Sequence, residues 1–120
     1  MSLPWVRLDT SLPSNPKVLA MVTEKDGHRA LAVYLCSLAY AGAQGTDGFI
    51  PREALPFIHG RDADAKRLHE HGFWIEQPGG WLIHGWTEKQ LTSEEHEQRR
   101  IKAQAAAQAR WSKQRTGVQA

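Results

Sequence analysis

A single cysteine, Cys36, in a chain of 120 residues excludes a disulfide framework and leaves no CxxC pair to hold a metal. It sits inside an apolar helical run and is expected to pack as a small hydrophobe, not to act as a reactive thiol. The longest apolar run, Ala30 to Ala43, is broken by Ser37 and is too short to span a bilayer, so no membrane partner is expected. No basic region followed by an apolar stretch opens the chain, so a cytoplasmic location is expected. There is no glycine-rich phosphate loop, no nucleophile elbow and no recognisable carboxylate pair, and no enzyme is expected. Six histidines are present, but no HExxH or Cys/His spacing joins them. His69 and His71, two apart on a helix, point about 200° apart and cannot share an ion. Neither a cofactor nor a metal is expected.

The last absence is of acid beyond Glu97. All 13 acidic residues lie at or before that position, with nine of the 15 bases, which leaves residues 1–97 at −4. From Gln98 onward stand Arg99, Arg100, Lys102, Arg110, Lys113 and Arg115 with no acid, a charge of +6. A one-signed segment of this kind attracts phosphate or another polyanion; the alternative is a solvated helix face that keeps the protein soluble.

Periodicity divides the chain into 1–90, a folded domain, and 91–120, a basic, alanine-rich helix with a frayed end. Trp5-Val6-Arg7-Leu8 reads as extended. Asn15 caps a first helix opened by Pro16 and running to about Thr23, with Val18, Leu19 and Val22 on one side. A second, central helix from about His28 to Ala43 carries Leu31, Tyr34, Leu35 and Leu38 at spacings of three and four. Thr46-Asp47-Gly48 is a turn and Phe49-Ile50 a minimal strand. Pro51 opens a helix with Leu55, Phe57 and Ile58 facing inward. His59-Gly60 then turns the chain into a helix from about Asp62 to His71, ended by Gly72 in the left-handed conformation. Phe73–Glu76 and Trp81–His84 form a hairpin across Gln77-Pro78-Gly79-Gly80. Thr92 or Ser93 caps the last helix. Trp5, Trp74 and Trp81 are expected in the core. The fold class is therefore α+β, mainly α: a winged helix-turn-helix with a small β-hairpin wing and a basic C-terminal helix.

In that arrangement the helix Asp62 to His71 is the one that enters a DNA major groove. With Leu68 placed inward, its outward face is Asp62, Ala63, Lys66, Arg67, His69 and Glu70. Arg61, Lys66, Arg67 and His69 are the candidate DNA contacts there, while the carboxylates of Asp62 and Glu70 oppose phosphate. Asp62 and Asp64 read as surface residues. The wing tip carries no cation, and Glu76 stands at its base. Arg99, Arg100, Lys102, Arg110, Lys113 and Arg115 are the candidate phosphate contacts, with Arg99, Lys102, Arg110 and Lys113 on one broad side. Trp111 either stacks on a base, fills a partner's pocket, folds back onto the domain or packs in a helix dimer.

The matching residues carry a resemblance. Trp5-Val6-Arg7-Leu8, Asn15-Pro16-Lys17-Val18, Thr46-Asp47-Gly48-Phe49-Ile50-Pro51, Leu68 with Gly72-Phe73-Trp74, Gly80-Trp81-Leu82-Ile83-His84 with Trp86, and Ala109-Arg110-Trp111 follow one another over most of residues 4–111. In this order they resemble the N-terminal winged-helix domain of phage replication-initiator and DnaD-like replisome-organiser proteins, especially the helix-turn-helix proteins of actinobacterial phages. The resemblance implies action at a phage or bacterial origin through DNA binding, self-association or helicase-loader contacts, and a place in the nucleoid or, for a phage protein, the host cytoplasm. The larger members continue into a second domain. The expected function is a DNA-binding protein of replication initiation or regulation, with double-stranded DNA as partner. The alternative is a protein-interaction module, a winged-helix homodimer or an inhibitor of a host or replisome protein, without direct DNA reading.

Overall fold

The computed structural model describes residues 2–117, except for the side chains of Ser93 and residues 114–117. The protein is α+β and mainly helical, with one small antiparallel sheet. Helix α1 (Pro16–Val22) begins where Asn15 accepts the Lys17 N–H at 2.8 Å. Helix α2 (Gly27–Gln44) runs through the centre and buries Ala30, Val33, Tyr34, Leu38 and Ala41. Strand β1 (Phe49–Pro51) leads into a 3-10 helix, Arg52–Ile58, and then α3 (Asp62–Glu70). Strands β2 (Trp74–Gln77) and β3 (Gly80–Ile83) form the hairpin, followed by the short α4 (Trp86–Lys89) and the long α5 (Ser93–Gly117).

The sheet order is β1-β3-β2, all antiparallel, with Ile50 opposite Trp81 and Trp74 opposite Ile83. These four are buried against the helices, and Trp74 and Trp81 lie 5.2 Å apart between ring centroids. Gly80 lets β1 and β3 meet, because a Cβ there would overlap the Ile50 carbonyl. Gly72 ends the turn after α3 at φ +80°, the left-handed stop that the sequence suggests.

Several side chains depart from the sequence expectation. The segment after β1 is a 3-10 helix, with three residues per turn instead of 3.6. Leu55 and Ile58 therefore share the inner face, and Phe57 rotates out to 77% exposure. Trp5 is 64% exposed because Leu3 and Val6 take the inward places, Val6 filling the space over Gly42. The segment carrying Trp5 joins no sheet. Its Arg7 N–H and C=O are both bonded at 2.7 Å by the Gln90 amide, which takes the place of a strand neighbour. Leu19 and Leu35 also lie partly outside, and Met21 fills the core in their stead.

The largest departure is Asp64. It is fully buried, not a surface residue. Its carboxylate accepts from the Arg61 backbone N–H at 2.9 Å, which fixes the start of α3. It also pairs with Arg29 of α2 at 3.2 Å and with the Arg61 side chain at 3.3 Å. Arg29 reaches on to the His59 carbonyl at 2.9 Å, and Arg61 to Asp26 at 3.6 Å. Burial alone would raise the carboxyl pKa, but the Arg61 hydrogen bonds and the two guanidinium charges outweigh it and hold it below the usual carboxylate range. A lowered pKa stabilises the fold fully above the ordinary carboxylate range and loses that contribution as pH falls through the lowered value. Asp64→Asn is expected to cost about 2 kcal/mol in urea unfolding at neutral pH. It should also flatten the decline of stability in acid, where the wild-type carboxylate takes up its proton. An unchanged midpoint at neutral pH would contradict this role.

Candidate nucleic-acid interface

On α3 the structure separates the four candidate cations. Lys66 and His69 are exposed, as expected. Arg67 is not on the outward face. Its side chain is only 20% exposed and turns toward Glu24, in the turn after α1, at 3.7 Å. Glu24 also bonds His71, so one carboxylate ties the α1–α2 turn to the end of α3. The Arg67 Nε and one terminal nitrogen are buried without a hydrogen-bond partner. Arg61 is half-exposed but spends its guanidinium on Asp64 and Asp26. His69 directs Nδ1 at the Trp74 carbonyl, 3.2 Å away, and so braces β2. Among the described residues of α3, Lys66 is the one exposed lysine or arginine without an ion pair. The carboxylate of Asp62 and that of Glu70 remain exposed on the same helix.

The hairpin differs from its sequence reading in one respect. Arg52 donates its backbone N–H to the Gly79 carbonyl at 2.9 Å, which sets it beside the hairpin turn. Its guanidinium lies 4.6 Å from the Trp81 ring centroid and 3.8 Å from Glu76. A cation therefore stands beside the hairpin although none lies within it. Only the register of Pro51 against Gly80 brings it there, and residue spacing within the hairpin could not reveal it.

Helix α5 gathers the remaining candidates. It is capped by Thr92, whose hydroxyl accepts the Glu95 N–H at 3.1 Å. Its 25 residues make a rod about 37 Å long. The molecule measures 70 × 31 × 20 Å. Its radius of gyration of 19.2 Å exceeds the roughly 14 Å of a compact chain of this length, so α5 stands away from the body. At 100° per residue, Arg99, Lys102, Arg110 and Lys113 fall within a sector of about 80°. All four are exposed. Arg100 lies outside that sector and is held by Glu97 at 2.6 Å and Gln104 at 3.4 Å. The Arg100 hydrogen bond keeps the Glu97 carboxyl below its ordinary pKa. Arg115 belongs to the helix, but its side chain lies outside the described residues.

Among the described residues no three His, Cys, Asp or Glu side chains are grouped to hold a metal ion, and no helix is long and apolar enough to cross a membrane. Comparison of the chain with protein-family models, with curated proteins and with solved structures finds no match. The fold and the surface define a mainly helical α+β protein with a sheet of three strands and a projecting helix whose first turns carry Glu94, Glu95 and Glu97 and which bears only bases beyond Glu97. Exposed Lys66→Ala is expected to change unfolding free energy by less than about 0.5 kcal/mol, whereas Arg67→Ala removes packing and the Glu24 pair and costs about 1–2 kcal/mol. Denaturant titration of both variants checks this, and equal midpoints would return Arg67 to the surface.

Proposed function

We propose that this protein is a winged helix that binds double-stranded DNA without catalysis, and that α5 supplies most of the binding free energy. The observation that carries the proposal is the stripe of Arg99, Lys102, Arg110 and Lys113 on a helix projecting from the body. The stripe spans about 21 Å of helix axis. Duplex DNA carries one charge per about 1.7 Å of its axis, so each cation finds a phosphate within reach. No acidic residue follows Glu97 to oppose the approach.

The element order supports the winged-helix reading. A helix pair joined at His59-Gly60 is followed by a hairpin, and β1 closes the sheet. On this reading α3 meets DNA with Lys66 and His69, while Arg67 positions the helix from behind and touches no base. Arg52 adds a cation at the wing. With few base-reading groups and many phosphate-facing ones, the binding is mainly independent of sequence. A role in phage or bacterial replication initiation follows from the sequence resemblance alone.

A protein-interaction module is the second reading. It draws on Phe57, with 77% exposure, and on Ile75, exposed at the sheet's outer face in register with Leu82. Replacing Arg99, Lys102, Arg110 and Lys113 by alanine is expected to weaken duplex binding for every sequence. The slope of log K against log salt should flatten by about 0.9 for each phosphate that is no longer neutralised. Fluorescence anisotropy over a salt series measures both. Unchanged affinity in the quadruple variant would remove α5 from the interface and favour the second reading.

A further inference from the structure

The face of α5 opposite the cation stripe has its own pattern. Glu97, Ile101, Gln104, Gln108, Trp111 and position 115 follow one another at steps of four, three, four, three and four. That alternation keeps them on a single seam, as in a coiled coil. The middle of the seam lies about 180° from the middle of the stripe. Two of its members are large, apolar and open to solvent, Trp111 at 65% and Ile101 at 47% exposure. The seam is flanked by Ala107 and Arg100 on one side and by Ala105 and Ser112 on the other, and the two alanines at its middle are small enough for a second backbone to come close.

The seam is complementary to itself when reversed. About a two-fold axis at the level of residue 106, Ile101 falls opposite the partner's Trp111, and Gln104 opposite the partner's Gln108. Glu97 falls opposite the partner's Arg115 position. Every layer then pairs like chemistry with like, or acid with base, and each occurs twice, as an isologous interface requires. A parallel pair would set Glu97 against Glu97 and position 115, an arginine in the sequence, against itself, like charge on like. Charge therefore selects the antiparallel arrangement.

We infer that the Glu97–Trp111 face of α5 is a docking surface for a second copy of this chain, forming an antiparallel helix pair. Two tryptophans and two isoleucines with an alanine waist make a small interface, near or below the roughly 1,200 Å² at the low end of specific complexes. The dimer is accordingly weak and concentration-dependent. The glutamine layers set its register more than its strength. Because stripe and seam occupy opposite faces, pairing leaves both cation stripes turned outward and the two bodies at opposite ends. The inference does not rest on the DNA reading: the seam carries none of the four stripe cations.

Analytical ultracentrifugation of the full chain, without DNA, over a wide concentration range tests the pairing. A reversible monomer–dimer equilibrium is expected. Trp111→Ala should raise its dissociation constant about thirtyfold, as for truncation of an interface hot spot. Glu97→Lys and Arg115→Glu should each weaken the dimer, and an equimolar mixture of these two variants should restore it. Circular dichroism of each variant reports whether the body and α5 remain folded. A monomer at every concentration would overturn the inference. So would a dimer indifferent to Trp111→Ala and to both charge reversals, which would place the interface elsewhere on the molecule.

Discussion

The buried carboxylate of Asp64 is the constraint on which the arrangement of helices depends. It starts α3 by bonding the Arg61 N–H, ties that start to α2 through Arg29, and through Arg61 draws in Asp26 of the α1–α2 turn. Arg29 then fixes the 3-10 turn at the His59 carbonyl. A desolvated carboxylate is tolerated because two guanidinium groups and a backbone donor surround it, and both arginines keep one side in water. At the far end of α3 a second acid, Glu24, holds Arg67 and His71. The α1–α2 turn thus grips α3 at both ends. Where α3 sits decides where the hairpin lies, since His69 braces β2 at the Trp74 carbonyl.

This network withdraws charge from the surface. Arg61, Arg67 and Arg29 count as cations in the composition, but their charge is committed to Asp64, Asp26 and Glu24. The outward face of α3 is left with Lys66 between exposed acids. The positive field of the protein belongs instead to α5, where Arg99, Lys102, Arg110 and Lys113 are set apart from the acidic body. The proposed binding mode follows from that separation. A folded body positions and orients, and the projecting helix attracts. The seam on the reverse of the same helix extends the proposed division of labour, with one face assigned to phosphate and the other to a second copy.

Local signals made most of the backbone legible. Asn15-Pro16 started α1, Gly72 stopped the chain after α3, and Pro78-Gly79 turned the hairpin, each within a residue or two of its expected place. What was not legible depends on neighbours distant in sequence. Asp64 reads as a surface acid until Arg29, 35 residues away, is brought against it. Arg67 reads as outward by helical phase until Glu24 turns it aside. Gln90 shows no signal at all, because its role requires the Arg7 backbone to lie alongside. Phe57 was misplaced for a local reason, the tighter turn of a 3-10 helix. The stripe on α5 was visible in the sequence because an isolated helix keeps its phase, with no tertiary packing to override it.

In the proposed binding mode, α5 gives this protein its affinity for duplex DNA. The most direct measurement is the binding of the intact chain to a random-sequence duplex by fluorescence anisotropy, titrated from low to physiological salt. Binding at low salt is expected to fall linearly on a log–log plot, with a slope of about −3 to −4 for a stripe of four cations. Little preference among sequences is expected as well. The absence of binding at low salt, or binding that ignores salt, would contradict this binding mode.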